Sequence, residues 1–112
     1  MSKGKNWRES FDHEIAQAWV ARSASNEGRA RVCARRAAGF VAGEYMRRQG
    51  LAPRSSSAYA RLQDLAGLPG LSPQVYQAID LLTLRVTPEW RLPVEADLVA
   101  EAQHLRQELL GE

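Results

Sequence analysis

The stretch that decides the fold is Gly28-Arg-Ala-Arg-Val-Cys-Ala-Arg-Arg-Ala-Ala-Gly-Phe-Val-Ala-Gly-Glu-Tyr-Met-Arg-Arg48. At about 100° per residue, its apolar and small side chains fall on one wide helical face. The residues on this face are Ala30, Cys33, Ala34, Ala37, Ala38, Phe40, Val41 and Tyr45. Because small residues dominate the face, neighbouring helices can approach closely, and we expect a central helix over residues 29–49. Gly50 and Pro53 follow it, as is common after a helix end.

Four other segments repeat apolar residues with the same period. We expect helices over residues 7–24, 57–66, 73–86 and 94–110. Their expected inward-facing residues are Trp7, Phe11, Ile15, Ala18, Trp19, Tyr59, Leu62, Leu65, Val75, Ile79, Leu82, Val86, Leu98, Ala102, Leu105 and Leu109. No segment alternates like a strand between hairpin turns. The sequence therefore predicts an all-α fold, an antiparallel four- to five-helix bundle that forms one domain over residues 7–112 behind a flexible N-terminus at residues 1–6.

The composition is that of a globular protein. Of its 112 residues, 45% are hydrophobic and 25% are charged, which excludes a disordered chain and a collagen-like repeat. The longest apolar runs are a few residues, so we expect no contact with the membrane interior, and no apolar segment follows the basic N-terminus as in a signal peptide. The single cysteine forms no internal disulfide, which suits a reducing, cytoplasmic location.

The charge is divided between the two halves of the chain. Residues 1–56 carry eleven Lys or Arg and five Asp or Glu, a charge of +6, whereas residues 57–112 carry four Arg and eight Asp or Glu, a charge of −4. One interpretation is that the two halves pair, within a chain or across a dimer. The other is that the basic half meets the phosphates of a nucleic acid. The net charge of only +2 favours the first.

Arginines flank the apolar face of the second helix on both sides. Arg31 and Arg35 lie along one side, and Arg29, Arg36 and Arg47 lie along the other. The planar guanidinium suits phosphates and carboxylates. The candidate phosphate-facing residues are therefore Arg29, Arg31, Arg35 and Arg36, although a solvated face, or pairing with the acidic second half of the chain, is the favoured explanation.

Glu44 falls inside the apolar face, where a carboxylate is costly unless it is paired or protonated. Arg48, one turn further, and Arg85, at the end of the fourth helix, are candidate partners. We predict that Glu44 is mostly buried and within ion-pair distance of an arginine. The cluster of Glu44, Arg47, Arg48 and Arg85 is either a structural ion pair or an acid in a functional cleft.

The sequence shows no pattern typical of a metal or cofactor site. His13 and His104 are isolated, no glycine-rich loop precedes a helix, and no serine lies on a nucleophile elbow. Cys33 lies on the apolar face, where an inert thiol is expected. We therefore expect no metal and no cofactor. Trp90 and Arg91, in a loop with two prolines, are candidate partner contacts.

The order of the helices resembles that of the HEPN superfamily, the higher eukaryotes and prokaryotes nucleotide-binding domains. The resemblance covers about Trp7 to Leu110 and rests on helix order, loop placement and the alanine-rich second helix. It implies a dimeric helical bundle, with a small nucleotidyltransferase as a candidate partner. Glu44-Tyr-Met-Arg47 also resembles a Glu-x(1–3)-Lys/Arg element of some members.

Ribonuclease members of this superfamily carry an arginine followed, after four to six residues, by a histidine near the loop before the last helix. The corresponding Arg85 and Arg91 have no histidine at that distance. Arg8 and His13 have the spacing, but on the first helix and about 140° apart around its axis. We therefore expect a non-catalytic binding or assembly module that forms a homodimer. The alternatives are a toxin-like ribonuclease that uses His13 or His104, and a nucleotide- or nucleic-acid-binding protein.

Overall fold

The computed structural model describes residues 6–53, 55–84 and 96–112. These residues form five helices and, within these ranges, no strand. The helices are α1 (Trp7–Ser23), α2 (Glu27–Arg48), α3 (Ala58–Ala66), α4 (Pro73–Leu82) and α5 (Leu98–Leu110). The expected all-α fold is thereby confirmed.

Each helix begins at a polar residue whose side chain accepts a hydrogen bond from a backbone N–H in the first turn. The five N-caps are Asn6, Asn26, Ser57, Ser72 and Asp97. Such side chains satisfy donors that the helix itself leaves unpaired. They explain why α2 begins two residues earlier than expected. They also explain why α5 begins at Leu98 rather than at residue 94, which lies outside the described residues.

The helix α4 ends four residues before the expected Val86, which lies outside the described residues. Its last carbonyl groups have other partners, because Arg35 of α2 donates from Nε to the Leu82 oxygen at 2.7 Å and from Nη2 to the Leu84 oxygen at 3.1 Å. The Thr83 hydroxyl donates to a further carbonyl oxygen one turn back. A cation at the carboxyl end of a helix also opposes the negative end of its dipole.

The central position expected for the second helix is confirmed, since α2 packs against each of the other four helices. Its buried side is wider than the predicted face and includes Gly39, Ala42, Gly43 and Met46, whereas Phe40 and Tyr45 are only partly buried. The larger core side chains come from the other helices. Those almost fully buried include Leu62, Leu65, Ile79, Leu82, Leu98, Val99 and Leu105.

Ion pairs at the helix ends show the relative directions of the three longest helices. Arg22, near the end of α1, pairs with Asp97 at the start of α5. At the other end of the molecule, Arg8 of α1 and Arg48 of α2 both pair with Glu112, just beyond α5. Thus α1 runs antiparallel to α2 and α5, whereas α2 and α5 are parallel. The expected antiparallel packing therefore holds for α1 against α2 and α5 but not for α2 against α5, because α3 and α4 return the chain to the end where α2 begins.

Trp19 was expected in the core, but 47% of it is exposed. It lies at the edge of the apolar face of α1, where the guanidinium of Arg22 covers its ring at 5.2 Å. The end of α5 also differs from expectation, since the expected core residue Leu109 is only partly buried and its neighbour Leu110 is buried. Within the part of the chain that the structure describes, no helix is long and apolar enough to cross a membrane.

Candidate functional site: an arginine-lined groove

Two adjoining cavities run along the outer side of α2. One, of about 270 Å³, lies between α2 and the start of α3, and the other, of about 290 Å³, lies between α1 and the second half of α2. Phe40 and Arg61 line both, so we treat the cavities as one feature, the arginine groove. Its principal lining residues are Trp7, Arg36, Phe40, Glu44, Arg47, Ser57 and Arg61.

The groove follows one stripe of α2. Arg36, Phe40, Gly43 and Arg47 recur at three- and four-residue steps, so they lie above one another on one side of the helix. Arg36 and Arg47 belong to the same side of α2 that the sequence assigned to them. The groove exists because α1 and α3 pack on either side of this stripe and leave it uncovered.

Gly39 allows the close approach of α3 that forms one wall of the groove. A Cβ atom at this position would lie 2.5 Å from the Cβ and 2.7 Å from the Cα of Ala58. Gly43, one turn further, leaves space for the side chain of Arg61. A Cβ atom there would lie 2.7 Å from Nη1 of Arg61 and 3.1 Å from its Cζ. The two glycines therefore set the width of the groove.

Arg61 is oriented by the chain that precedes α3. Its Nε donates to the backbone oxygen of Ser55 at 2.7 Å, so its guanidinium is held across Gly43. Arg36 is exposed, and no hydrogen bond or ion pair joins its side chain to another described residue. The groove thus contains one oriented guanidinium and one that is available to an anion.

Glu44 is the buried carboxylate of the groove. Only 8% of it is exposed, and it accepts hydrogen bonds from Arg47 at 3.0 and 2.6 Å and from Arg48 at 2.8 Å. The predicted burial and arginine pairing of Glu44 are therefore confirmed. The two hydrogen bonds from Arg47, together with the one from Arg48, hold the pKa of this carboxyl below its ordinary value and outweigh the opposing effect of burial. Glu44 is consequently ionised near neutral pH.

A second carboxylate joins the ends of α1, α2 and α5. Glu112 accepts two hydrogen bonds from Arg8, at 2.6 and 2.7 Å, and one from Arg48 at 3.3 Å. The bonds from Arg8 are the main cause of its pKa falling to about 2. Trp7 lies beside this cluster, with the guanidinium carbons of Arg8 and Arg106 at 4.9 and 5.0 Å from its ring centre.

The charge division of the sequence is resolved in two ways. Some basic residues pair with acidic residues of the other half, as Arg8 and Arg48 do with Glu112 and Arg22 does with Asp97. The other α2 arginines differ from these. Arg35 binds carbonyl groups at the end of α4, and Arg29, Arg31 and Arg36 pair with no acidic residue among those described.

Several sequence-based candidates cannot be placed in the groove. Arg85, Trp90 and Arg91 lie outside the described residues. His13 and His104 are both exposed, on α1 and α5, and the latter lies 3.7 Å from Glu108. Within the described ranges, no group of three His, Cys, Asp or Glu side chains is placed to hold a metal ion.

Cys33 is completely buried on α2, and burial is the main cause that raises the pKa of its thiol. A buried thiol of raised pKa reacts slowly, because the thiolate is the reactive form. The expected inert cysteine agrees with this position, which lies in the core rather than in the groove.

The sequence does not point to Arg61 as a groove residue, and its periodicity assigns Trp7 and Phe40 only to apolar faces. Arg61 is the only basic residue of α3, which is a signal that could have drawn attention to it. No local signal shows that it lies opposite Gly43, because that contact joins residues 18 positions apart. Comparison with protein-family models, with curated proteins and with solved structures gives no match for this chain.

Proposed function

We propose that this protein is a non-catalytic helical binding module that binds single-stranded nucleic acid in the arginine groove. The observation that carries the proposal is the presence of Arg36, Arg47 and Arg61 beside Phe40 in two adjoining cavities. Guanidinium groups bind phosphate oxygens in a bidentate manner, and aromatic side chains stack on unpaired bases. The groove offers both kinds of contact.

The charge balance of the groove supports an anionic ligand. Its lining contains three arginines and one carboxylate, Glu44. Arg36 has no acidic partner among the described residues, and Arg61 uses only its Nε in the bond to Ser55. The small net charge of the whole chain counts less than this local excess, because salt screens exposed charges beyond about 8 Å.

The shape of the groove favours a single strand over a duplex. The two cavities hold about 270 and 290 Å³, which suits individual nucleotides rather than a double helix. In a duplex the faces of the bases are stacked and covered, so Phe40 would have no base to stack on. An aromatic side chain in the groove therefore favours a single strand with unpaired bases over a ligand that is bound through its phosphate charge alone.

Fluorescence anisotropy with a fluorescein-labelled ten-nucleotide oligouridylate in 0.15 M salt tests the proposal. The double variant Arg36→Ala/Arg61→Ala is expected to bind roughly tenfold more weakly, since two exposed charge pairs are worth about 0.7 kcal/mol each. Arg31→Ala is the matched control, because it removes an arginine from the opposite side of α2. No binding by the unaltered protein, or equal losses in Arg31→Ala and Arg36→Ala, would contradict the proposal.

The HEPN-like arrangement and the absence of catalysis are part of the same proposal. Their support is the order of two long helices, a short one and two more, together with the lack of histidine at the family distance after Arg85 and Arg91. Incubation with total RNA tests this part. Intact RNA is expected, whereas cleavage that disappears in His13→Ala or His104→Ala would establish a ribonuclease instead.

We propose a homodimer as the assembly. Its support is the exposure, among the described residues, of four large apolar side chains, Trp19, Val20, Val32 and Leu51. Light scattering across micromolar concentrations is expected to give twice the chain mass of 12.5 kDa. A constant monomer mass up to high micromolar concentration would exclude the homodimer.

A further inference from the structure

Glu44 binds two arginines that differ in what else they hold. Arg48 donates to Glu44 at 2.8 Å and to Glu112 at 3.3 Å, so it lies between two carboxylates. Arg47 pairs with Glu44 alone among the described residues, through both Nε and Nη2. The side chain of Arg47 is 69% exposed, against 37% for Arg48. The two guanidinium groups are therefore not equivalent.

This difference decides which ion pair can open. If Arg47 leaves, Glu44 keeps the hydrogen bond from Arg48, so the buried carboxylate is not left without a cation. If Arg48 leaves, two carboxylates lose a partner at once. The exposed guanidinium of Arg47 regains water when it separates from Glu44, so of the two arginines it is the one whose departure takes a partner from a single carboxylate, which keeps Arg48.

Separation of Arg47 from Glu44 would change the charge available inside the groove. Glu44 and Arg47 both line the cavity that also contains Arg61 and Phe40. In the free protein the carboxylate satisfies Arg47 and lowers the positive charge of the groove. An anion that enters the cavity meets a carboxylate that repels it and a guanidinium that would bind it.

We propose that Glu44 is a built-in counter-ion for Arg47, and that a phosphate group of the ligand replaces this carboxylate on Arg47 when the groove is occupied. The inference rests on the proposed function, because it assumes that the ligand is anionic and lies in the groove. It assigns Glu44 as a specificity-determining residue, since only anions that compete with a carboxylate gain the contact with Arg47.

Glu44→Gln tests the inference, because it is expected to raise the affinity, whereas altering a binding site usually lowers it. The amide keeps the shape but does not hold Arg47 by charge, so the oligouridylate is expected to bind about fivefold more tightly. The dependence of the logarithm of affinity on the logarithm of salt is expected to steepen by about 0.7, the value for one additional phosphate contact on a single strand. Glu112→Gln is the matched control, because it removes the same charge outside the groove, and its affinity is expected to change less than twofold.

Arg47→Ala is the second variant, and it serves also if Glu44→Gln fails to fold by circular dichroism. Transfer of Arg47 to the ligand predicts weaker binding in Arg47→Ala, while an arginine that stays on Glu44 predicts no change. In the double variant Glu44→Gln/Arg47→Ala the gain from Glu44→Gln is expected to vanish, which is the coupling expected of one shared contact.

The outcomes separate this inference from the proposed function. Absence of binding by the unaltered protein overturns both. Binding that depends on Arg36 and Arg61 but is no tighter in Glu44→Gln than in Glu112→Gln overturns the counter-ion role alone. The counter-ion role is supported if Glu44→Gln binds more tightly and this gain is absent from the double variant Glu44→Gln/Arg47→Ala.

Discussion

The three glycines inside α2 provide a sharp test of how the groove is built. Replacing Gly39 by alanine places a Cβ atom 2.5 Å from the Cβ and 2.7 Å from the Cα of Ala58. Carbon atoms in contact are separated by at least about 3.5 Å, so α3 must retreat by about 1 Å. The obstacle includes backbone, which cannot rotate away as a side chain can.

The magnitude follows from two opposing contributions. Overpacking of a tight contact costs about 1–3 kcal/mol, and the backbone contact at Gly39 supports the upper part of this range. Alanine gains up to about 1 kcal/mol over glycine in a helix. We therefore expect Gly39→Ala to lower the free energy of unfolding by about 1–2 kcal/mol, or the melting temperature by roughly 5–10 °C.

The same helix supplies its own controls. At Gly28 the nearest atom to an added Cβ is Asn26 Oδ1 at 3.9 Å, an ordinary contact, so Gly28→Ala is expected to leave stability unchanged or raise it. At Gly43 the obstacle is the flexible end of Arg61, so Gly43→Ala is expected to cost little stability but to weaken oligouridylate binding. Urea unfolding followed by circular dichroism measures all three. A Gly39→Ala variant as stable as Gly28→Ala would refute the close packing of α3 on α2.

Other predictions concern the ion pairs and the thiol. Arg35→Ala is expected to lower the free energy of unfolding by about 2 kcal/mol, because two charge-assisted bonds to the end of α4 are lost, whereas Arg31→Ala changes it by less than about 0.5 kcal/mol; equal urea midpoints would contradict this. Because the pKa of Glu112 and that of Glu44 are lowered in the folded protein, the ion pairs of these carboxylates stabilise the fold fully above about pH 4.5. The contribution of Glu112 is lost as the pH falls towards about 2. Urea midpoints measured from pH 5 to 2.5 should fall less in Glu112→Gln than in the unaltered protein, and parallel curves would exclude the pair. Cys33 is expected to react with a thiol reagent only after unfolding, and fast reaction of the folded protein would show that it is accessible.

Local sequence was sufficient for features that depend on neighbours within one helix. The period of small residues from Ala30 to Val41 predicted the central helix, because a buried face repeats every 3.6 residues wherever the helix packs. The burial of Glu44 and its pairing with Arg48 followed from the same projection. N-cap residues explain the observed helix starts, yet the start of α5 was misjudged because apolar residues before Asp97 continue the helical pattern.

The features of the site that sequence could not supply all join distant parts of the chain. Nothing within α2 shows that Arg35 binds the end of α4 whereas Arg36 faces the groove. The helical projection correctly places the two arginines on opposite sides of α2, but the partner on each side depends on where α3 and α4 pack. The parallel direction of α2 and α5 has the same origin, since it depends on the path of the two short helices between them.

The sequence by itself determined an all-helical protein with a small-residue helix at its centre and a buried, arginine-paired carboxylate on that helix. Only the tertiary structure decided that the uncovered stripe of α2 is a groove, because its walls come from α1 and α3 and its width from the contact of Gly39 with Ala58. Helical periodicity is a local property, repeated at every turn. A groove is a relation between surfaces, and it exists only after distant helices have packed.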